Sequence, residues 1–235
     1  MPDLPADRLL ITVAPTGAES AKSDVPNLPT TPEEIAATAR ECEAAGAGMI
    51  HLHVRDHDHQ PTLDLGLLRE WVAAVRDASD LVVQLSTGGS VHDPLDQRLR
   101  VLDAEPDSCS LTMGTTNFGD DVFSNPWPFV CELYQLSQER EIVPEFELFD
   151  LGQVHALQRL LDRYGLPYGG KVHCDLVMGV PGGMNGTADA WWPPSPPFPP
   201  RPRAGRPPGS AGRPWPWRSP ACPRAATSGS GWRTC

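Results

Sequence analysis

The stretch HLHVRDHDHQ, residues 51–60, places four histidines and two aspartates in ten positions. In a β-strand, residues two apart point to the same side. His51 and His53 would then aim two imidazoles at one point, with Leu52 and Val54 facing the opposite layer. Two neutral imidazoles suit Zn²⁺, which takes a tetrahedral set of N, S or O ligands and, in catalytic sites, keeps one position open. A third protein ligand must then come from elsewhere in the chain. The alternative is a structural pair, each ring hydrogen-bonded inside the fold. His57 and His59 alternate with Asp56 and Asp58 in a polar run ending at Gln60 and Pro61, and a solvated turn accounts for them. His173 reads as structural or as support behind a metal ligand.

Other residues gain meaning beside such a pair. STGGS (86–90) has paired glycines whose backbone N–H groups, with the Ser86 hydroxyl, could cradle a carboxylate. An ordinary strand-to-helix turn would use the same residues. Glu19, in TGAES, stands where it could grip a cationic or hydroxyl group of a substrate. GTTNFGDD (114–121) is either a substrate-facing loop or a helix-capping one.

The elements that must position these side chains alternate regularly. LLITVAP (9–15), MIHLHV (49–54), DLVVQLS (80–86), SCSLTMG (108–114), IVPEFELFD (142–150) and KVHCDLVMGV (171–180) are short apolar runs of strand type. Between them, 30–47, 63–79, 93–104, 125–140 and 150–165 carry helical spacing; the first opens with a Thr cap, Pro and two Glu. Repeats of about 30 residues indicate βα units and a parallel sheet. Six such units make roughly three quarters of a (β/α)8 barrel, which needs about 250 residues. A doubly wound sheet is disfavoured because no glycine-rich dinucleotide turn follows the first strand. The polar candidates Glu19, His51, His53, Ser86, Ser110 and Glu147 fall in or just after several different strands, as in a barrel site.

Composition limits the function classes and exposes a break. The formal net charge of -11 argues against nucleic acid as partner. No apolar run reaches the roughly 18 residues of a membrane helix, and the N-terminus is acidic where a secretory signal is basic. Six cysteines without CxxC pairs suit free thiols in a cytoplasmic protein. Residues 1–190 hold all 30 acidic side chains and 12 of the 19 basic ones. Residues 191–235 have no Asp, Glu or Lys, but seven Arg, five of the seven Trp and 13 of the 27 Pro. The chain thus reads as a barrel domain over 1–190 and a disordered Pro/Arg-rich tail over 191–235.

VAPTGAE, GMIHLHVRD, QLSTGG, SLTMGTTNFG, PEFELFD and VMGVPGGM, in that order over about residues 8–190, resemble the β-keto acid cleavage enzyme family. The resemblance implies an oligomeric (tetrameric) zinc-dependent (β/α)8 barrel. It also implies that a β-keto acid and acetyl-CoA are converted to acetoacetate and a new acyl-CoA, in amino acid catabolism such as lysine degradation. Carried over by motif, it makes His51 and His53 zinc ligands. Glu19, Ser86, Gly89 and Ser110 become substrate contacts, with Ser110 standing where the family's type member has a threonine.

The family's third zinc ligand, a glutamate in a late strand of the type VRVGLED, has no counterpart as written. Neither do the adjoining acidic base and an upstream assisting arginine, so no catalytic residue is identifiable. A reading-frame shift near residue 190 would account for this. Taking the last base of each codon with the first two of the next across TSGSGWRT permits VRVGMED, given suitable Ser and Arg codons; RAATS likewise permits Gly-Gly-His. On this reading the polypeptide as written is inactive or nearly so. Two competing functions are a metal-dependent hydrolase of the amidohydrolase type, which carries HxH on its first strand, and a noncatalytic module presenting PPSPPFPPRP to proline-binding domains.

Overall fold

A computed structural model of the chain describes residues 9–18 and 20–187. Glu19 and the whole of 191–235, with the tail and frame-shift readings that fall on them, lie outside the described residues.

Six parallel strands form one sheet in the order β1 (Thr12–Val13), β2 (Met49–Leu52), β3 (Val82–Leu85), β4 (Ser108–Thr112), β7 (Val143–Leu148), β8 (His173–Leu176). Helices α1 (Pro32–Ala44), α2 (Leu65–Ala78), α3 (Leu95–Arg100), α4 (Trp127–Glu139) and α5 (Leu151–Tyr164) connect them, with a 3₁₀ turn at Val101–Ala104 after α3. Between β4 and α4 an antiparallel hairpin is inserted, β5 (Thr116–Phe118) and β6 (Asp121–Phe123). It turns through Gly119, whose φ of 64° suits glycine. The segment 114–121 is therefore part of a hairpin and not a helix cap, and it carries Phe118 toward a cavity.

Helix starts follow local chemistry. Thr31 caps α1 by accepting from Glu34 N–H, and Asp64 and Asp150 do the same for Leu67 and Gln153 at α2 and α5. Pro lies in the first turn of α1 and of α4, where its missing N–H costs no helical bond.

Strand alternation then separates the two sheet faces. Ile50, Leu52, Val83 and Leu85 pack against Ile35 and Ala39 of α1 and Leu68, Trp71, Val72 and Val75 of α2. Cys109, Leu111, Phe146 and Leu148 pack against Phe129, Val130, Leu133 and Tyr134 of α4 and Leu157 and Leu160 of α5. Burying each Val, Leu, Ile or Phe side chain among them contributes roughly 1.5–3 kcal/mol. Both clusters use the same side of the sheet. A doubly wound sheet would carry helices on both sides; here the helices are on one, so the described residues form an open half-barrel. Its interior side carries His51, Gln84, Ser86, Ser108, Ser110, Thr112, Glu145, Glu147, His173 and Asp175, the residues that alternate with the packed ones. A barrel interior is ordinarily filled by branched apolar side chains, so this polar lining calls for a chemical explanation.

Candidate functional site

The two histidines converge. His51 Nε2 and His53 Nε2 are 3.2 Å apart. His53 follows the end of β2, and its backbone N–H donates to Thr16 Oγ1 at 2.9 Å, which ties it to the loop after β1. The Arg55 guanidinium clamps that same loop, donating to the carbonyls of Thr16, Gly17 and Ser20 at 3.2, 2.7 and 3.1 Å. His53 is pushed down to about 3 by burial, with the His51 and Arg55 charges adding to the effect, so its ring is neutral. Two ring nitrogens at this separation share either one proton or one cation, since two bare lone pairs repel. Zinc bonded to nitrogen at about 2.0–2.1 Å in a tetrahedral set spaces its nitrogens about 3.3 Å apart, so the pair fits two zinc ligands. Among the described residues no group of three or more His, Cys, Asp or Glu gathers as a metal site.

Behind His51 lies a chain of polar contacts. Its Nδ1 is 2.5 Å from Gln84 Oε1. Gln84 Nε2 donates to Glu145 Oε2 at 2.6 Å and to Ser108 Oγ at 3.0 Å. His173 Nε2 approaches the other Glu145 oxygen at 3.5 Å. His173 therefore stands two residues away from the histidine pair. The sheet register sets this up by pairing His51 with Gln84, Gln84 with Ser108, and Glu145 with His173.

Toward the C-terminal ends of the strands, His53, Ser86, Gly88, Gly89, Glu147 and Asp175 line a cavity of about 400 Å³. Phe118, Phe123 and Phe149 form its apolar wall, with ring centroids 6.2 Å apart in edge-to-face contacts. Desolvation raises the Glu147 carboxyl above the usual carboxylate range, against the nearby His51 and a hydrogen bond from Thr112 Oγ1 to Oε2. Asp175 is raised as well, by desolvation and by Glu145. Carboxyl groups whose proton affinity is raised in a cleft are candidates for proton transfer.

The expected carboxylate cradle has a specific internal structure. Ser86 Oγ accepts from Gly88 N–H at 3.2 Å, which leaves its own hydroxyl hydrogen available to a ligand. Ser110 Oγ accepts from Thr87 N–H at 3.2 Å, and Thr87 Oγ1 donates to the Ser110 carbonyl at 2.7 Å. Ser110 thus braces the loop from beneath and is not among the residues lining the cavity. Gly89 has a φ of 55°, and a Cβ there would come within 2.0 Å of Asp93 Oδ2, the atom that accepts from Ser90 N–H. A fully buried cation supports the same loop. Arg98 donates to the Thr87 and Ser124 carbonyls and to Asn125 Oδ1, between the rings of Phe123 and Phe129 at 4.8 and 4.6 Å.

His57 and His59 are exposed, in a turn closed by Asp56 Oδ1, which accepts from the N–H groups of Asp58 and Gln60 at 2.9 Å each. They take no part in the cavity. Gln84, Glu145 and Asp175 escaped the sequence reading, and Glu147 was noted only as a strand-end polar residue. The available signal was the alternation in PEFEL, where two glutamates share a face of a buried strand.

The family model of the β-keto acid cleavage enzyme matches residues 8–192. The 3-keto-5-aminohexanoate cleavage enzyme of Acetoanaerobium sticklandii is 36% identical over 183 residues, 77% of this chain and 66% of that protein. The 3-oxoadipate:acetyl-CoA acetyltransferase of Cupriavidus necator is 32% identical over 176 residues, 74% of this chain and 61% of that one. This chain therefore spans somewhat under two thirds of the length of either relative. Among solved structures, apo ObcA shares the fold, with a TM-score of 0.59 at 24% identity over 66% of this chain and 37% of that one. Family match, identity and half-barrel agree, and the chain belongs to the β-keto acid cleavage enzyme family.

Proposed function

We propose that the half-barrel is the metal- and substrate-binding part of a zinc-dependent enzyme that transfers acyl groups between a β-keto acid and acetyl-CoA, releasing acetoacetate and a new acyl-CoA. The observation that carries this reading is the convergence of His51 Nε2 and His53 Nε2 to 3.2 Å beside a cavity holding Ser86 and Glu147. The names of the relatives, which join β-keto acids to acetyl-CoA chemistry, support it.

His51 and His53 would hold the zinc, which when bound polarises the β-keto oxygen as a Lewis acid. Ser86 donates its hydroxyl hydrogen to the substrate carboxylate, and Gly89 keeps the loop beside it in a left-handed turn. Ser110 keeps Thr87 and hence that loop in place. Glu147, raised by desolvation with Thr112 Oγ1 donating to its Oε2, faces the cavity where it would exchange a proton with the substrate. Glu19 belongs to the same proposed substrate site. The Phe118, Phe123 and Phe149 wall excludes water from one side of the cavity.

Residues 191–235 as written contain no Asp or Glu and so supply neither a carboxylate zinc ligand nor a carboxylate base. The 235 residues as written therefore bind zinc weakly and turn over little substrate, while a chain with the VRVGMED frame restored does both. Resequencing the encoding DNA, then assaying both chains for acetyl-CoA-dependent loss of a β-keto acid, tests this. The reading predicts activity only in the restored chain. Activity equal to it in the chain as written, or none in either, overturns it.

A further inference from the structure

Glu145, Gln84 and His51 form a directional chain of hydrogen bonds, and its direction is fixed by chemistry at one end. A carboxylate only accepts, so the Gln84 group 2.6 Å from Glu145 Oε2 has to be the amide NH₂. An amide oxygen turned toward Glu145 would set lone pairs against lone pairs. The NH₂ group also donates to Ser108 Oγ at 3.0 Å, and Gln84 is only 1% exposed. The Oε1 end must then face His51 Nδ1 at 2.5 Å, and an amide oxygen only accepts. His51 Nδ1 therefore carries the hydrogen, and the His51 lone pair lies on Nε2, the atom that points at His53. His173 Nε2, 3.5 Å from the second Glu145 oxygen, steadies the carboxylate at the origin of the chain.

We infer that Glu145 and Gln84 are positioning residues that lock His51 in the tautomer with a free Nε2 lone pair, and so preset the histidine pair to receive a metal before any metal arrives. Neither touches substrate. A ligating histidine commonly gives its second nitrogen to an acceptor, and disturbing that acceptor weakens metal binding by about 10–100-fold. What is specific here is the relay through an amide. The carboxylate acts on the ring from two bonds away, keeping its negative charge out of contact with the imidazole. The metal consequence rests on the zinc reading of the site; the tautomer does not.

¹⁵N NMR of the metal-free full chain labelled at histidine distinguishes the two tautomers by the shifts of the ring nitrogens. The expected spectrum of the unchanged protein shows His51 protonated at Nδ1 alone. Gln84→Leu removes the acceptor, and the isosteric Glu145→Gln removes the orienting charge while preserving packing. Both are expected to give mixed tautomers and zinc affinity lowered by about 10–100-fold. Combining Gln84→Glu with Glu145→Gln restores an acceptor toward His51 and a donor behind it, so the Nδ1–H form returns and zinc affinity recovers. A merely structural role predicts no such rescue. Should Gln84→Leu fail to fold, Glu145→Gln and the double variant still decide the matter. An Nε2-protonated His51 in the unchanged protein, or single variants with unaltered tautomer, overturns the inference. Zinc that fails to bind the unchanged protein while the tautomer responds as described supports the relay and counts against the zinc reading instead.

Discussion

At the scale of single residues, burial alters the ordinary chemistry of groups in the core as well as in the site. Cys109 is fully buried, and desolvation pushes its thiol up to about 12 from 9.0. The unfolded chain releases that proton at lower pH than the folded one. The associated stability is complete below about pH 9 and is lost as pH rises toward 12. Iodoacetamide labelling followed by peptide mapping at pH 8 is expected to leave Cys109 unmodified in the native chain while marking the exposed Cys174; equal labelling of both would contradict this burial. Gly89 makes a second case. An alanine there must hold φ near 55° and displace the Asp93 carboxylate, so Gly89→Ala should cost about 1–3 kcal/mol in urea unfolding. A cost near zero would show that the loop relaxes freely. Such roles are only partly readable from sequence. The strand period alone aims His51 and His53 together, but Gln84 and Glu145 come from β3 and β7, 61 positions apart. Only the stagger of the strands around the sheet brings them into contact.

Elements were legible where one signal dominated. Each of the six parallel strands lies within the apolar run that predicts it, and the cap and Pro at 31 and 32 mark the start of α1. The β5–β6 hairpin was missed because its strands are three residues each and polar enough to pass for a loop. The Gly119-Asp120 pair between Phe118 and Asp121 is a two-residue hairpin signal that would have found it. The hairpin matters because Phe118 and Phe123 reach the cavity from it, and its far end is fastened by Arg98 of α3. Burial lowers the Arg98 guanidinium to about 10, yet three acceptors and two aromatic faces hold it in place. Arg98→Ala leaves those acceptors buried and unpaired, with an expected loss of about 2–4 kcal/mol in urea unfolding. A loss under about 1 kcal/mol would show that α3, the Thr87 loop and the hairpin hold together without it.

At the scale of the molecule, strand alternation indicates a barrel with His51 and His53 turned away from the helices, but not the full polar lining, because Gln84, Glu145 and Asp175 join it only through the register of β3, β7 and β8. With α1, α2, α4 and α5 packed on one side, the interior face of β2, β3, β4, β7 and β8 is left to the polar residues. Strands β1 and β8 each pair on one side among the described residues, which places β8, with His173 and Asp175, at a sheet edge. His51 and His53, as a metal-receiving pair, stand at the heart of this face. Zinc titration of the metal-free 235-residue chain by calorimetry, beside His53→Ala, probes that pair. Weak one-to-one binding is expected, lowered by more than about 100-fold in His53→Ala, beyond the effect of altering a supporting residue. Zinc bound equally well by His53→Ala would contradict it.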